Sequence, residues 1–358
     1  MSYIDANLLP SQLLRNKRRF YKDRDCKFIE KSKIKDYILF VDGYIGGGTK
    51  FFSDCIINYY TKFRNFVIIR KFENKLIVTY NGKFRLDLND YEEILNFLDN
   101  RTIKIFINHL SNHSINFINS LCNSFKEVSI ITHDHYFINK TRCSIFDIEN
   151  IKNEELLDIT KYNKIFTQNK NNIQYLEKII PDETKDKFII SELPDFKNRL
   201  EKIEFKNKKI KIGIIGVMSP VKGEEILNEL FLKYKNKYDF FVFGIMNFNK
   251  NIEQSKYNNI YNFNELLKNE KPNIFISIST CPETYSYTTT LMNITSLSVL
   301  FYTSNNPVVK DRLLNYKEFN LKELDLFEKN INELKQDYLY TIEPNIYFNE
   351  TWDNYFKN

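Results

Sequence analysis

Ten short apolar runs, each followed by a different kind of segment, restrict this chain to few folds. Six lie in the first half: "YILFV" (37–41), "FVIIR" (66–70), "IKIFIN" (103–108), "VSIIT" (128–132), "KIFTQ" (164–168) and "KFIIS" (187–191). They are continuous, not alternating, as strands buried on both faces are. Between them, stretches such as "SINFINSLCNSF" (114–125) and "NNIQYLEKII" (171–180) carry apolar residues at helical spacing. Continuous strands alternating with helices predict a parallel sheet covered on both faces. One exception is "KLIVTYNGKFRLDL", which reads as a hairpin with a two-residue turn at Asn81-Gly82.

The alternation stops at "ELPDFKNRLEKIEFKNKKIK" (192–211), a polar, charged stretch that reads as a linker. It restarts with "IGIIGV" (212–217), "DFFVFGI" (239–245), "NIFISIS" (273–279) and "SVLFYT" (298–303), with helices expected near 222–234, 263–269 and 286–296. A chain of 358 residues is long enough for two cores. The expected fold is therefore α/β, with two doubly wound Rossmann-like domains facing across a cleft. The divisions are a basic arm (1–35), a first domain (36–195), a second domain (209–337) and an aromatic-rich last segment (338–358). That segment is expected to pack back as a helix across both domains. In such sheets ligands bind beyond the carboxyl ends of the strands.

The bulk chemistry excludes several classes. Net charge +6 comes from 52 basic and 46 acidic residues, a balance too even to imply nucleic-acid binding. The dense charge run is 15–35, with ten Lys or Arg against three acids. It reads as a solvated helix; the functional alternative is a patch for an anionic membrane surface or nucleic acid, and with few aromatics interleaved base stacking is not suggested. Five scattered cysteines without a C-x-x-C pair point away from a disulfide framework and a structural zinc site, and toward a reducing compartment. The chain shows neither an apolar stretch of membrane-spanning length nor a signal peptide, so a cytoplasmic location is expected.

Four of the nine glycines fall in "GYIGGGTK" (43–50), directly after the first strand. The order of Thr49 and Lys50 is the reverse of a P-loop's, and no spacing gives the dinucleotide fingerprint. A tight strand-to-helix turn remains, or a backbone that must approach a ligand closely. Three further stretches lie where the strand-end rule puts a site: "THDHYF" (132–137), "GVMSPVKGEEIL" (216–227) and "CPETYSYTTT" (281–290).

Together, and with "NHLSNHS" (108–114), these motifs resemble the retaining "group 1" glycosyltransferases, family four, of GT-B fold. The resemblance is to a subset with a glycine-triplet loop, paired histidines, an H-D-Y-F-type stretch and a P-E-T-x-S-Y-T stretch. It spans roughly residues 37 to 303 in the family's order. It implies that Gly46, Gly47 and Gly48 shape the acceptor side and that Lys50 points to solvent. It implies that His133 contacts the donor sugar, with Asp134 orienting it or capping the next helix. Taken alone, His133 also fits a satisfied core histidine. His109 and His113, four apart, could share a metal if helical, but no third ligand suggests itself, and the family pattern makes them cleft-lining. Lys222, opening a helix, matches a diphosphate-binding lysine. Glu283 matches the acid that holds donor-sugar hydroxyls. Ser286, Tyr287 and Thr288 would present backbone N–H groups to the phosphates.

Two positions depart from the pattern. Val217 stands where many members have an arginine, and Leu291 stands where the second glutamate of the motif binds ribose. The function implied is a metal-independent retaining transfer of a hexosyl-type sugar from a nucleotide sugar to a glycan or other hydroxyl acceptor. No cofactor is expected. The departures keep a second reading open, a catalytically silent GT-B scaffold or sugar-binding partner.

Overall fold

The structure is a computed structural model and describes residues 22–43, 47–72, 74–134, 158–176, 181–280, 282–303 and 306–358. The chain divides into two compact units. One comprises the chain through Pro194 together with Phe348–Asn358, and the other comprises Asp195–Tyr347.

The first unit is built on a nine-stranded sheet, counted among the described residues. Its strands are β1 (Lys27–Phe28), β2 (Tyr37–Gly43), β3 (Asn65–Phe72), β4 (Lys75–Tyr80), β5 (Phe84–Leu86), β6 (Thr102–Ile107), β7 (Val128–Ile131), β8 (Lys164–Thr167) and β9 (Phe188–Ile190). Their spatial order is β1-β5-β4-β3-β2-β6-β7-β8-β9. β2 is buried along its whole length, which explains a seven-residue strand with no polar face. It pairs in parallel with both β3 and β6. The strand order reverses between β2 and β6, so the topological switch point lies at their carboxyl ends.

The helix Gly47–Tyr60 follows β2 and buries Phe52, Ser53, Ile56, Ile57 and Tyr60, one stripe at helical spacing. Gly47 opens it with φ +65°, and nothing lies within 4 Å of where a Cβ would sit. Backbone angle, not crowding, demands glycine there. Gly46 lies outside the described residues, and Gly48 is in the helix's first turn.

The last helix, Glu350–Lys357, completes this unit's core. Asn349 caps it by accepting the Trp352 N–H at 3.2 Å. Trp352 is fully buried against Phe52 and Phe166, with ring centroids 5.1 and 4.9 Å away. Its indole N–H donates to the Glu192 carbonyl at 2.7 Å, so the buried ring leaves no donor unpaired.

The second unit carries a six-stranded parallel sheet in the order β13-β12-β11-β14-β15-β16. A separate antiparallel pair joins β10 to β17. The ranges are β10 (Arg199–Glu204), β11 (Lys211–Val217), β12 (Asp239–Ile245), β13 (Glu253–Ser255), β14 (Ile274–Ser277), β15 (Val299–Tyr302), β16 (Tyr316–Phe319) and β17 (Tyr338–Ile342). Here the order reverses between β11 and β14. Helices Glu224–Tyr234, Ile260–Glu270 and Tyr287–Thr295 occupy the expected places.

Several expectations need correction. The stretch 192–211, read as a linker, contains β10; its residues are almost all exposed, so no apolar run announced a strand. Its partner β17 falls in the segment expected to be wholly helical, where only 350–357 is helix. Tyr80 pairs with Phe84, so the hairpin loop has three residues, 81–83, and not two; Asn81 and Gly82 do carry positive φ. The basic arm is not simply a solvated helix. Lys27–Phe28 forms β1, and Asp23 is buried against Arg70. The arm's residues 1–21 lie outside the described residues, as does the end of the helix expected at 171–180.

Candidate functional site

Each unit gathers polar residues at its own switch point. In the first unit the centre is Asp42, the penultimate residue of β2, whose side chain is fully buried. A buried carboxylate needs a counter-charge and donors for every lone pair. Asp42 has both. Oδ1 accepts the Gly43 N–H at 3.0 Å and the Asn108 amide N–H at 2.8 Å. Oδ2 accepts the Ser53 hydroxyl at 2.7 Å and Arg70 Nε at 2.9 Å. Arg70, two residues before the end of β3, also donates to Asp23 at 3.1 Å. These residues come from the ends of β2, β3 and β6 and from the first helix.

The histidines surround this centre, and their partners fix their tautomers. His113 Nε2 lies 2.8 Å from the Asp42 backbone carbonyl, which only accepts, so Nε2 carries the proton. Its Nδ1 then takes the Tyr91 hydroxyl at 3.2 Å. His109 is buried and its Nδ1 accepts the Ser111 N–H at 2.9 Å, leaving Nε2–H to donate to Asp134 at 3.2 Å. His133 follows β7 and packs edge-on to Phe52 at 5.0 Å between ring centroids. Its Nε2 lies 2.7 Å from Asn108 Oδ1. Burial, helped by the nearby His109, lowers the His133 pKa to about 3. Burial likewise lowers His113 to about 4. Both rings are neutral near pH 7.

The second unit's constellation joins the loops after β11 and β14. Lys222 ends a short 3-10 turn (Pro220–Lys222), and its ammonium donates to Glu283 Oε1. Ser279 Oγ also donates to that oxygen, at 3.3 Å. The turn into helix Glu224–Tyr234 passes through Gly223 at φ +85°; a Cβ there would sit 2.1 Å from the Ile278 carbonyl oxygen. Only glycine lets the Lys222 loop lie this close to the end of β14. Ser286 precedes helix Tyr287–Thr295 in left-handed geometry, φ 68°. Thr288 reaches within 3.7 Å of the Cβ position of Gly216.

Arg312 braces this helix start. Nη1 donates to the carbonyls of Tyr285 and, at 2.7 Å, of Ser286, while Nη2 donates to Thr290 Oγ1 at 2.7 Å. Its guanidinium lies over the Tyr285 ring, 3.6 Å from the centroid. Asp195 closes the support. It accepts the Tyr285 hydroxyl at 2.9 Å, the Thr290 hydroxyl and the Phe196 N–H at 2.8 Å. Burial outweighs these bonds and raises its pKa to about 6.

Of the residues singled out from sequence, Lys222, Glu283, Ser286, Tyr287 and Thr288 fall around the second switch point. His109, His113, His133, Asp134, Gly47 and Gly48 fall around the first. Lys50 pairs with Asp54 one helical turn on. Asp42, Arg70, Asn108, Asp195 and Arg312 were missed. Two of them carried a signal: Asp42 directly follows the apolar run 37–41, and Arg70 closes the run 66–70. Leu291 is buried among Ile215, Phe241, Phe243 and Phe275, so the motif's missing carboxylate is replaced by core packing. Among the described residues, no three of His, Cys, Asp and Glu gather as a metal site would need. Nor is any helix among them long and apolar enough to cross a membrane.

No protein-family model matches the chain, and no curated protein matches it in sequence. Solved structures do match in fold. HepE from Anabaena, in complex with UDP and glucose, superposes with TM-score 0.56 at 10% identity, covering 83% of this chain and 89% of that one. The lipopolysaccharide outer core galactosyltransferase WaaB, in its apo form, gives 0.54 at 11%, covering 83% and 90%. A glycosyltransferase from Rickettsia africae gives 0.53 at 14%, covering 82% and 88%. The fold is the α/β fold of these GT-B glycosyltransferases.

Proposed function

We propose that the protein is a glycosyltransferase using a nucleotide-activated sugar. The observation that carries this reading is Lys222 beside Glu283 at the β11/β14 switch point, next to a helix start braced by Arg312. A cation and a helix N-terminus together suit a diphosphate. The shared fold supports the same reading, as does the UDP and glucose held by HepE.

In this reading Lys222 and the amides of Ser286, Tyr287 and Thr288 bind the diphosphate. Glu283 and His133 are assigned to sugar hydroxyls, and Asp134 to orienting His133. Gly46, Gly47 and Gly48 form the acceptor side, lined further by His109 and His113. The transfer retains configuration. The bond from the anomeric carbon to the phosphate oxygen breaks, the acceptor oxygen bonds to that carbon from the same face, and the leaving phosphate takes the acceptor proton. No protein base and no metal is required, and stabilisation of the departing diphosphate carries most of the effect. The acceptor is a glycan or another hydroxyl compound, and the basic arm gives peripheral membrane contact.

The burial of Leu291 favours one alternative, a silent scaffold or sugar-binding partner, because no carboxylate on that helix turn can hold a ribose. Incubating the full chain with a panel of nucleotide sugars, with and without chelator, separates the two. Release of nucleoside diphosphate, unaffected by chelator and with the product anomer matching the donor, is expected. Neither release nor any shift in melting midpoint with any nucleotide would sink the enzyme reading.

A further inference from the structure

We infer that Arg312, held by Asp195, is a positioning residue: it keeps Ser286 in left-handed geometry and so turns the backbone N–H groups of Ser286 and Tyr287 to one side, toward a diphosphate. All of these residues belong to the second unit. The reasoning starts at Ser286. A residue that opens a helix is ordinarily extended, with a side chain that accepts a helix N–H. Ser286 has φ 68°, and its side chain caps no helix N–H. Its Oγ lies 3.0 Å from the hydroxyls of Thr288 and Thr289 instead. Among the other described non-glycine residues at positive φ, Lys271 and Ser296 end helices, where this geometry is common, and Asn81 and Asn112 are asparagines, which tolerate it. Ser286 is neither case, so its surroundings must hold it there.

Arg312 supplies the hold. Nη1 donates to two successive carbonyls, those of Tyr285 and Ser286. Along an extended chain successive carbonyls point to opposite sides; here one nitrogen takes both. A trans peptide places its N–H opposite its carbonyl, so the N–H groups of Ser286 and Tyr287 turn away from the guanidinium together. Successive N–H groups turned to one side make an anion-binding concavity. No described residue accepts the Ser286 N–H.

The guanidinium cannot swing away. It lies over the Tyr285 ring, 3.6 Å from the centroid, and Nη2 donates to Thr290 Oγ1 at 2.7 Å. Asp195 Oδ2 lies 3.7 Å from Nη2 and also accepts the Tyr285 and Thr290 hydroxyls. Asp195 Oδ1 is tied to the Phe196 N–H at 2.8 Å. The consequence deepens the glycosyltransferase reading and rests on it. The strained turn is set before a donor arrives, so the diphosphate meets backbone donors already oriented. Neither Arg312 nor Asp195 need touch the ligand.

Carbon NMR on the full chain with labelled serine tests the hold without any ligand. The Cα and Cβ shifts of Ser286 report its φ, and the signal lost in Ser286→Gly assigns them. Arg312→Gln should move these shifts out of the left-handed range. It should weaken UDP roughly tenfold, because the ligand must then hold an L-residue in that geometry. Adding Ser286→Gly keeps the N–H and removes the steric penalty, so most of the lost affinity should return. An arginine that only supports the fold would show no such rescue. Should Arg312→Gln not fold, Asp195→Asn added to it leaves no unpaired buried carboxylate, and the same shifts and the same rescue are expected. Unmoved Ser286 shifts, or lost UDP affinity that Ser286→Gly does not restore, would overturn the inference. If the shifts move as expected but the wild type binds no UDP, the hold stands and the donor reading falls.

Discussion

The two switch points solve opposite electrostatic problems. At the first, charge is buried and consumed: Asp42 sits between Arg70 and three neutral donors, and the nearby His133 and His113 are neutral. At the second, the Lys222–Glu283 pair stays near the surface, although the supporting Asp195 is buried. The Lys222 and Glu283 side chains keep 35% and 21% of their exposure. The first arrangement fixes geometry and the second keeps an ion pair partly exposed. The lesson is that charge at a strand end does not by itself mark an anion site. How deeply the charge is buried, and how completely its bonds are used, decides between frame and ligand.

The largest expected effect breaks the frame. Asp42→Ala leaves Arg70 and Asn108 facing a void, and removing one partner of a buried pair costs roughly 3–5 kcal/mol. Glu283→Gln at the other switch point removes a partly exposed pair and should cost less than about 1 kcal/mol. Thermal melts of the two variants check the contrast, and equal destabilisation would erase it.

Leu291→Glu comes next. Its site is apolar and 6% exposed, so a carboxylate there should lower stability by on the order of 3 kcal/mol. Denaturant melts would show this. A stable variant with tighter nucleotide binding would mean instead that the helix turn opens onto a ribose site.

Acid should then separate the units by sign. His133 and His113 have folded pKa values of about 3 and 4, below the unfolded value near 6.5. Their neutral forms stabilise the first unit above about pH 6.5, and this is lost as pH falls toward 4, because the unfolded chain binds the proton first. Asp195 runs the other way. Its folded value of about 6 exceeds the unfolded value near 3.9, so its contribution grows as pH falls through 6. Between about pH 7 and about pH 5 each histidine should cost on the order of 2 kcal/mol. Hydrogen exchange followed by peptide should show the first unit losing protection while the Asp195 region gains it. Parallel changes in both units would contradict the assignment.

Much of this architecture could be read from the chain, because continuous apolar strands leave a strong signal. The apolar runs 37–41, 66–70 and 239–245 were visible for that reason and lie within β2, β3 and β12. β10 was not, because "RLEKIE" is almost wholly exposed and stabilised by pairing with the distant β17, which lay in a segment read as helical. The site was half legible. Motif order located Lys222, Glu283 and His133. Asn108, which contacts His133, and Asp195 and Arg312, which brace the start of helix Tyr287–Thr295, have no local pattern; their roles exist only once distant strand ends and loops come together.

The central claim is that Lys222 serves the diphosphate and His133 the sugar. Calorimetric titration of the wild type, Lys222→Ala and His133→Ala with both UDP and UDP-glucose tests it most directly. Lys222→Ala should weaken both ligands tenfold to a hundredfold, the range of a lost charged hydrogen bond. His133→Ala should weaken UDP-glucose by about tenfold and leave UDP unchanged. Equal losses for the two ligands in His133→Ala, or no effect of Lys222→Ala on either, would contradict the account.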